Sequence, residues 1–454
     1  HVRNGTPGVE SRGGNKSGTL LGLAGEPKRG MRPAGVALVL ALLLLFCYAA
    51  AGAEPLWTER VNDEYITSIA VSEDGSRVVL GTSMGGVYLY EGDGTLCWSA
   101  RHKGTMRVEI APDASLVVAG ESESREKDKG ALRAYDQNGT LAWMKHTGWI
   151  CGFDTSEDLG RIAVGNRLGQ IAVYDRGGFD EAWEDNLLKR YYATSAAGLS
   201  PDGRILAYSL LEHTPAIYLL NVDTWARRTI KSVFREHGSA VHTLRLSGNG
   251  TYLLAASGEG STDTVYLFTD RGALKWKETV PDILDMEISS DGELILLGSE
   301  DGRIRAYNHA GDLAWARCME GAVQSLSLTQ QGDLIAAGSR CGEILLLSGT
   351  GEPRWEYRVV RFPAASIDAV ELSCQGDALV GVVNGNEVLF FSTAPEPVAP
   401  LPTLDNQLVE PLPEQEVTAC ELPVLPPVRG DVPFGKIVYR EWGSILRSVF
   451  QADR

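Results

Sequence analysis

Few residues in this chain have the types and spacings that catalysis or metal binding needs. Six histidines follow the first residue, and only His237 and His242 share one short segment. A zinc site needs three or four converging ligands, so this pair does not predict one. No glycine run has P-loop spacing, which excludes that kind of phosphate-binding loop. The sequence therefore predicts no catalytic residue, no metal ligand and no bound cofactor.

The cysteines and the Asn-Gly pairs have ordinary structural explanations. Six cysteines lie after residue 53 without CxxC spacing or an adjacent pair, which predicts scattered small core residues. Asn138 and Asn249 each begin an Asn-Gly-Thr triplet. In an exported protein this triplet accepts a glycan, and an Asn-Gly pair also suits a tight turn. Both interpretations stay open.

The net charge excludes one class of partner. The chain of 454 residues has a formal net charge of -17, and residues 1–53 hold six basic and two acidic residues. The remaining residues therefore carry a net charge of -21. A surface this acidic repels phosphate backbones, so we predict no nucleic-acid partner.

An internal repeat sets the elements that must position any functional side chain. Its marker is a turn of the form Ser-x-Asp-Gly, complete in some units and weaker in others. Successive turns start 39 to 47 residues apart. The eight turns are SEDGSR (72–77), APDASL (111–116), SEDLGR (156–161), SPDGRI (200–205), SGNGTY (247–252), SSDGEL (289–294), TQQGDL (329–334) and SCQGDA (373–378).

Each turn lies between two short apolar runs, and a third run follows. In the first unit these runs are ITSIAV (66–71), RVVLG (77–81) and VYLY (87–90). Short runs rich in Val, Ile, Leu and Tyr and bounded by Gly, Asp and Asn predict strands joined by tight turns. No window before residue 400 has convincing helical periodicity.

A Trp marks the fourth strand of most units. It follows the third strand by eight positions and a Gly by four, as in Tyr90, Gly94 and Trp98. Unit three is one residue longer, and in unit four Trp225 follows Leu220 by only five positions. A bulky ring repeated once per unit most simply fills the space between units. We predict such blade-docking roles for Trp57, Trp98, Trp143, Trp183, Trp276, Trp315 and Trp355.

The segments YDQNGTLAW and YNHAGDLAW resemble the repeat of quinoprotein-like β-propellers, in which a Gly-x-x-x-Trp turn docks each blade on the next. The SPDGR turn resembles WD40-type repeats. The resemblance covers about residues 54–392 and implies an all-β, eight-bladed β-propeller of four-stranded antiparallel blades. In repeat style the chain is also similar to the propeller lipoprotein of outer-membrane barrel assembly. Phe46 before Cys47 departs from a lipoprotein cleavage box, so that role is not carried over.

The same resemblance raises an enzymatic alternative. Quinone-cofactor dehydrogenases share the repeat and need calcium ligands near the axis, a catalytic Asp and usually a vicinal disulfide. This chain has no adjacent cysteine pair, and turn chemistry explains the Asp residues of the turns. A quinoprotein-like oxidoreductase is therefore the second hypothesis, and a sugar- or polysaccharide-binding propeller is the third.

Loop lengths predict where a partner binds. The second-to-third strand connections of units two, four and five are enlarged, as is the segment after Trp183. In an antiparallel meander all four lie on the same face, and such loop elaboration often marks a binding surface. The unit-two loop ESESREKDKG also fits a solvated charge run. The predicted partner-binding residues are Arg125, Lys127, Lys129, Arg190, Tyr191, Tyr192 and His213.

The N-terminal region predicts export. Residues 34–53 contain no charge, three basic residues precede them, and Ala51-Gly52-Ala53 ends them with small residues. This pattern fits a signal peptide with an A-x-A cleavage site and also an uncut membrane span. We expect a non-structural extension at 1–30, the signal or anchor at 31–53, and the rest of the chain outside the cytoplasm.

The composition changes again after the last unit. Ten of the twenty prolines lie between Pro395 and Pro433, which predicts a semi-rigid linker over 393–434. Residues 435–454 have an apolar stripe at helical spacing. They predict a short amphipathic helix that docks on the propeller, binds a partner or lies on a membrane surface.

One strand at the N-terminus has no unit of its own. Unit eight ends after three runs and has no Trp, whereas Leu56–Val61 supplies a Trp-containing strand ahead of the first complete unit. We predict that this strand completes the last blade and closes the ring. We interpret the protein as an exported or membrane-anchored, non-catalytic protein-interaction scaffold at the outer face of the cell membrane. If uncut, residues 34–53 are its membrane contact.

Overall fold

The computed structural model describes residues 53–393, apart from Asn62, 125–126, 179–193, 211–215, 231–239, 259–260 and 361–364. The chain divides into two units, and the described residues all belong to the second, which starts at Gly52. None of them forms a helix long and apolar enough to cross a membrane. The predicted extension, signal or anchor segment, linker and C-terminal helix lie outside the described residues.

Eight antiparallel sheets make up the described fold, seven with four strands and one with three. Each innermost strand contacts that of the next sheet, and the last returns to the first. The fold is the predicted all-β, eight-bladed β-propeller. Its blades span 66–101, 105–146, 150–175, 194–230, 241–281, 283–318, 323–358 and, for blade 8, 367–392 with 57–60.

The innermost strand of each blade runs along the axis of the ring and ends at the Ser-x-Asp-Gly turn. Successive side chains of a strand point in opposite directions. In Thr105–Ile110, for example, half-buried and buried residues therefore alternate. The innermost strands are Ile66–Val71, Thr105–Ile110, Ile150–Thr155, Thr194–Leu199, Val241–Leu246, Ile283–Ile288, Val323–Leu328 and Ile367–Leu372.

The second strands are the most apolar because neighbouring blades cover both of their faces. In Ala378–Val383 every residue is buried, as expected for a strand without a solvated side. The second strands are Arg77–Thr82, Leu116–Ser124, Arg161–Asn166, Ile205–Leu210, Tyr252–Gly258, Ile295–Ser299, Leu334–Ser339 and Ala378–Val383.

The third strands carry the aromatic residues that meet the Trp residues. Tyr90 of Gly86–Glu91 and Phe390 of Glu387–Ser392 are examples, and both are buried. The third strands are Gly86–Glu91, Lys129–Asp136, Ile171–Asp175, Ile217–Asn221, Thr262–Thr269, Arg303–Tyr307, Glu343–Ser348 and Glu387–Ser392.

The fourth strands form the outer rim, and most of their residues are exposed. In Leu141–His146 only Trp143 and Lys145 are half-buried, so the Trp ring points back toward a neighbouring blade. The fourth strands are Trp57–Arg60, Leu96–Arg101, Leu141–His146, Arg227–Ile230, Leu274–Pro281, Leu313–Cys318 and Pro353–Arg358.

The Ser-x-Asp-Gly turns have a direct structural reason. In blade 1, Ser72 Oγ accepts the amide hydrogen of Arg77 (2.9 Å), and Asp74 Oδ1 accepts that of Ser76 (2.9 Å). Gly75 has a φ of 70°, a conformation that glycine adopts without a Cβ penalty. We call the end of the ring formed by these turns, which begin at residues 72, 111, 156, 200, 247, 289, 329 and 373, the turn face.

The N-terminal strand closes the ring, as the sequence predicted. Trp57–Arg60 pairs antiparallel with Glu387–Ser392, with Trp57 opposite Phe390. The amide of Val61 donates to the carbonyl of Asn386 at 2.8 Å. The Trp57 and Phe390 rings stack with their centroids 5.3 Å apart. Blade 8 therefore takes three strands from one end of the propeller segment and one from the other.

Candidate functional site

A cavity of about 510 Å³ lies on the axis of the ring. The innermost strands of all eight blades contribute to its wall. Its volume is within the range of small-molecule sites, about 300 to 1,000 Å³. Because the blades repeat, residues at equal positions in the eight innermost strands form layers around this cavity.

The layer two residues before each turn holds most of the charge, and we call it the inner ring. Its eight residues comprise four with carboxyl groups, one with a guanidinium group and three small ones. The inner ring consists of Ala70, Glu109, Asp154, Gly198, Arg245, Glu287, Ser327 and Glu371.

Arg245 neutralises one side of the inner ring. Its Nε lies 3.2 Å from Oε1 of Glu287, and its Nη2 lies 3.7 Å from Oδ1 of Asp285, one layer further along the axis. A second guanidinium group, that of Arg107, also lines the cavity and donates to the carbonyl of Cys151 at 3.4 Å. Five acidic side chains thus share the cavity wall with two basic ones in these two layers.

Several polar side chains of the innermost strands bind the next blade. Asp154 Oδ2 accepts the amide hydrogen of Leu199 at 2.6 Å, and Ser327 Oγ accepts that of Leu372 at 2.9 Å. The amide groups along the axial edge of a strand need such partners when they are buried. These contacts explain why Ser and Asp recur at these positions.

Glu109 and Glu371 occupy equivalent positions without such a bond. Neither side chain has a hydrogen bond or an ion pair within the part of the chain that the structure describes. Both line the cavity, which gives them their contact with water, and protein encloses them on all other sides. They are the least compensated charges of the inner ring.

Burial raises the pKa of every carboxyl group in this cluster. It raises the pKa of Glu109 to about 8, with the Asp154 charge adding to the effect. The pKa of Glu287 rises to about 7 for the same first reason, against the pull of Arg245. The pKa of Glu371 lies well above its ordinary value because of burial and then the Glu109 charge. The cavity is therefore a site that favours protons or cations.

The turns meet at one end of the cavity and form its floor. The amide of Ser290 donates to the carbonyl of Gln330 at 3.0 Å, linking neighbouring turns of blades 6 and 7. Gln330 Nε2 also donates to Oε2 of Glu157 at 2.7 Å. Glu157 belongs to blade 3, which lies opposite blade 7 in the ring. Burial, with the Glu73 charge next, raises the pKa of Glu157.

The opposite end carries the second-to-third strand hairpins and the inter-blade connections, and we call it the loop face. Blade 2 has the longest hairpin of the described strands, with Leu116–Ser124 and Lys129–Asp136 paired up to Ser124 and Lys129. The strands thus continue into the segment ESESREKDKG, and Lys127 and Lys129 within it are exposed.

The structure places two of the predicted partner-binding residues on the loop face. Lys127 and Lys129 are exposed at the tip of the blade 2 hairpin. The structure does not bring them to the cavity wall. Outside the described residues lie Arg125, Arg190, Tyr191, Tyr192 and His213.

Five of the described docking Trp residues each pack on the turn glycine of the next blade. A Cβ added to Gly94 would lie 2.9 Å from Trp57 Cγ, and one added to Gly139 would lie 2.7 Å from Trp98 Cγ. Gly178, Gly311 and Gly351 meet Trp143, Trp276 and Trp315 in the same way.

The remaining Trp positions differ in detail. Trp355 packs on Phe391, with centroids 5.3 Å apart. Blade 4 uses Ile230 instead of a Trp, and Gly272 packs on it. Trp225 is partly exposed with a φ of 57°, in agreement with its departure from the spacing. Trp183 lies outside the described residues.

The prediction that the cysteines are core residues was wrong. Cys318 and Cys341 are exposed, and Cys97, Cys151 and Cys374 are half-buried. Burial raises the pKa of Cys374 to about 12, with the Glu157 charge adding to it. Cys420 lies outside the described residues. The repeat fills its core with Val, Ile, Leu and Ala instead.

Two of the described histidines have separate partners. His102 Nε2 and Tyr135 Oη are 2.6 Å apart between blades 1 and 2, and His242 Nε2 lies 3.3 Å from Asp263 Oδ1. Within the described segments of 53–393, no three His, Cys, Asp or Glu residues are placed to hold a metal ion.

One serine has the spacing of a nucleophile elbow, Gly-x-Ser-x-Gly, in residues 81–85. That elbow joins a strand to a helix, whereas Ser83 lies in the turn between two strands of blade 1. Its Oγ accepts the amide hydrogen of Tyr65 at 3.2 Å. Ser83 therefore stabilises a hairpin turn.

The blades, the Ser-x-Asp-Gly turns and the Trp–Gly packing define a β-propeller of the PQQ-like and WD40-like class. A family model, PQQ_2, described as outer membrane protein assembly factor BamB, matches residues 41–199 and 169–399. These residues are most of the chain, and the chain belongs to this family.

One relative and several solved structures show the same relationship. The outer membrane protein assembly factor BamB of Burkholderia pseudomallei (strain K96243) is 25% identical over 206 residues, 43% of this chain and 51% of that protein. The chain thus spans about half of the relative. The C-terminal WD40 domain of Sif2 is similar with a TM-score of 0.61 and 14% identity over 76% of this chain and 99% of that chain.

A third similar structure is that of Chaetomium thermophilum Sqt1 bound to the N-terminus of the ribosomal protein L10. Its TM-score is 0.59 at 17% identity, over 75% of this chain and all of that chain (100%). At these identities the two WD40-like structures show the fold alone.

Alignment of the repeats would have revealed the inner ring. Glu109, Asp154, Arg245, Glu287 and Glu371 all lie two residues before the first residue of a turn. Charged residues that recur at this one position of the repeat are the signal from which the ring could be predicted. The assignment of each run to a strand did not take these charges into account.

Proposed function

We propose that this protein is a non-catalytic scaffold that binds a partner protein through its loop face, at the outer face of the cell membrane. Membership of a family described as an outer membrane assembly factor supports this proposal. The observation that carries it is the blade 2 hairpin, whose strands continue beyond the length usual in this ring and end in exposed Lys127 and Lys129.

The charge of the molecule supports a hairpin role in recognition. Most of the chain is strongly acidic, and the hairpin alternates acidic and basic residues, so Lys127 and Lys129 place positive charges at a projecting tip. Complementary charge steers association and fixes the orientation of partners. The segment after Trp183, with Arg190, Tyr191 and Tyr192, would add the aromatic and guanidinium groups that interfaces favour.

Site-specific photo-crosslinking in intact cells tests the proposal. A photoreactive residue at Lys129 should crosslink one partner protein, whereas the same residue at Arg228, exposed on the outer rim of blade 4, should not. Combined alanine substitution of Arg190, Tyr191 and Tyr192 should abolish the crosslink at Lys129. Equal crosslinking at both positions, or none at Lys129, would show that the loop face is not the binding surface.

Protease access tests the location separately. The outer barrier of the cells is opened while the cytoplasm stays enclosed. An added protease should then cut the chain, and a cytoplasmic marker should stay intact. Protection of the chain to the same degree as the marker would contradict the proposed placement at the outer face.

A further inference from the structure

We infer that the axial cavity binds an alkylammonium group, which enters from the loop face and is held by Glu109 and Glu371 of the inner ring. The group belongs either to a lysine side chain of a polypeptide or to a free linear polyamine. This inference does not depend on the proposed scaffold function.

The first argument is the uneven compensation of charge. Arg245 takes Glu287 and Asp285 as partners, and Asp154 accepts the Leu199 amide. Glu109 and Glu371 have neither kind of partner in the described residues. An enclosed carboxylate without a partner is costly, so without a ligand these carboxyl groups tend to hold protons. A bound cation removes this cost and allows them to ionise.

A second, independent observation comes from blade 4. The hydroxyl oxygen of Ser195 is buried, has no hydrogen-bond partner, and belongs to the same cavity wall. Buried hydroxyl groups are nearly always satisfied by a partner. A cavity ligand with N–H donors would supply such a partner.

The arrangement favours an ammonium group over a metal ion or a guanidinium group. No three potential metal ligands converge in the described part of the chain. The free carboxyl groups come from blades 2 and 8, with blade 1 between them. The two groups thus lie on blades that flank blade 1, where one ammonium group can donate to both, whereas a planar guanidinium fork prefers one carboxyl group that it can bind with two bonds.

The floor sets the direction of entry. The hydrogen bond between Gln330 and Glu157 crosses the turn-face end of the cavity, and neighbouring turns are joined by backbone hydrogen bonds. The loop face has no equivalent cross-ring bond among the described residues. A flexible alkyl chain presented on the loop face would reach the inner ring along the axis.

Isothermal titration calorimetry on the full chain tests the inference with two probes. These are spermidine and a Gly/Ser-rich peptide with one lysine, and a peptide with glutamine in place of lysine is the control. We expect one-site binding of at least one probe at pH 7 and release of protons, seen as a dependence of the heat on the buffer. Protons are released because Glu109, with a pKa of about 8, must ionise on binding.

Two isosteric variants and a matched control locate the site. Glu109→Gln and Glu371→Gln should each weaken binding by about tenfold or more, equivalent to about 1.4 kcal/mol, and Glu109→Gln should also reduce the proton release. Glu352→Gln, exposed on the rim, should bind as the parent does. Glutamine has the shape of the protonated glutamic acid that the raised pKa values favour, so the variants are expected to fold, and circular dichroism checks this.

The outcomes separate the two sources and the failure. Binding of spermidine alone identifies a free polyamine, and binding of the lysine peptide but not its control identifies a side chain. If neither probe binds, or if both inner-ring variants bind as tightly as the parent, the inference is overturned. The crosslinking result at Lys129 is unaffected in either case.

Discussion

Gln330 of blade 7 donates a hydrogen bond to Glu157 of blade 3 at 2.7 Å, across the turn-face end of the axial cavity. The two residues are 173 positions apart and belong to opposite blades. Most contacts in a propeller join neighbouring blades only. This bond therefore links two halves of the ring that the blade-to-blade packing connects only through three intervening blades.

Loss of this bond should weaken the ring measurably. Gln330→Ala leaves Glu157 without its donor, and we expect the free energy of unfolding to fall by about 1 kcal/mol. Chemical denaturation measures it. Gln331→Ala is the matched control because Gln331 is the exposed neighbour in the same turn. Equal stability of the two variants would show that the cross-ring bond contributes nothing.

The closing strand should matter to the whole propeller. Trp57→Ala removes the ring that stacks on Phe390, packs on Gly94 and donates to the Gly92 carbonyl at 2.9 Å. We expect a loss of about 2 to 4 kcal/mol, below the range for a fully buried Trp because Trp57 is half-buried. Leu56→Ala, which removes a side chain that is 65% exposed, should cost far less. Thermal unfolding of both variants makes the comparison.

A pair of glycines separates backbone strain from blade docking. Gly139 and Gly332 have φ values of 79° and 76°, so alanine is strained at both, by about 1 kcal/mol. A Cβ at Gly139 also meets the Trp98 ring at 2.7 Å, whereas the nearest atom to a Cβ at Gly332 is Ser289 Cβ at 3.3 Å. Gly139→Ala should therefore lose about 1 kcal/mol or more beyond Gly332→Ala. Similar denaturation midpoints for both would contradict the docking role of Trp98.

The inner ring predicts an unusual dependence of stability on pH. Glu109 and Glu287 have pKa values of about 8 and about 7, above the ordinary value of a Glu. The folded chain thus holds protons that the unfolded chain releases, and the free energy of unfolding falls as pH rises from about 5 to about 8. One such group contributes a slope of about 1.4 kcal/mol per pH unit.

Denaturation curves at several pH values check this prediction. Glu109→Gln stays neutral at every pH, so its stability should decline less steeply than that of the parent, and most of the difference should be seen near pH 8. Glu352→Gln should follow the parent curve in parallel. A parent whose stability rises between pH 5 and 8 would contradict the raised pKa values.

The fold was predictable because each unit repeats the same local signals. The Ser-x-Asp-Gly turn, the strand lengths and the Trp after its glycine support one another in most of the eight units, so a weak unit does not change the result. The closing strand followed from counting, since one unit lacked a Trp and Trp57 lacked a unit. Local chemistry and global architecture indicate the same answer here.

The axial chemistry was less predictable because it depends on which residues from distant units converge. Glu109 and Glu371 are 262 residues apart, and each has an ordinary place in its own strand. Their lack of partners is a property of the assembled ring. The exposure of Cys318 and Cys341 also follows from neighbours that the sequence does not show. The composition of blade 2 indicated a loop, but cross-strand pairing extended its strands.

Pairing of Trp57 with Phe390 has a consequence for the order of events during synthesis. The closing strand is made first, and its partner follows about 330 residues later. At about 5 to 20 residues per second, the wait is roughly 20 to 60 seconds. Throughout this time seven blades can form as an open arc with two unpaired edges, and the first strand must stay out of other pairings. Protection of the first strand during this interval is therefore expected to raise the yield of closed rings more than protection of the finished ring would.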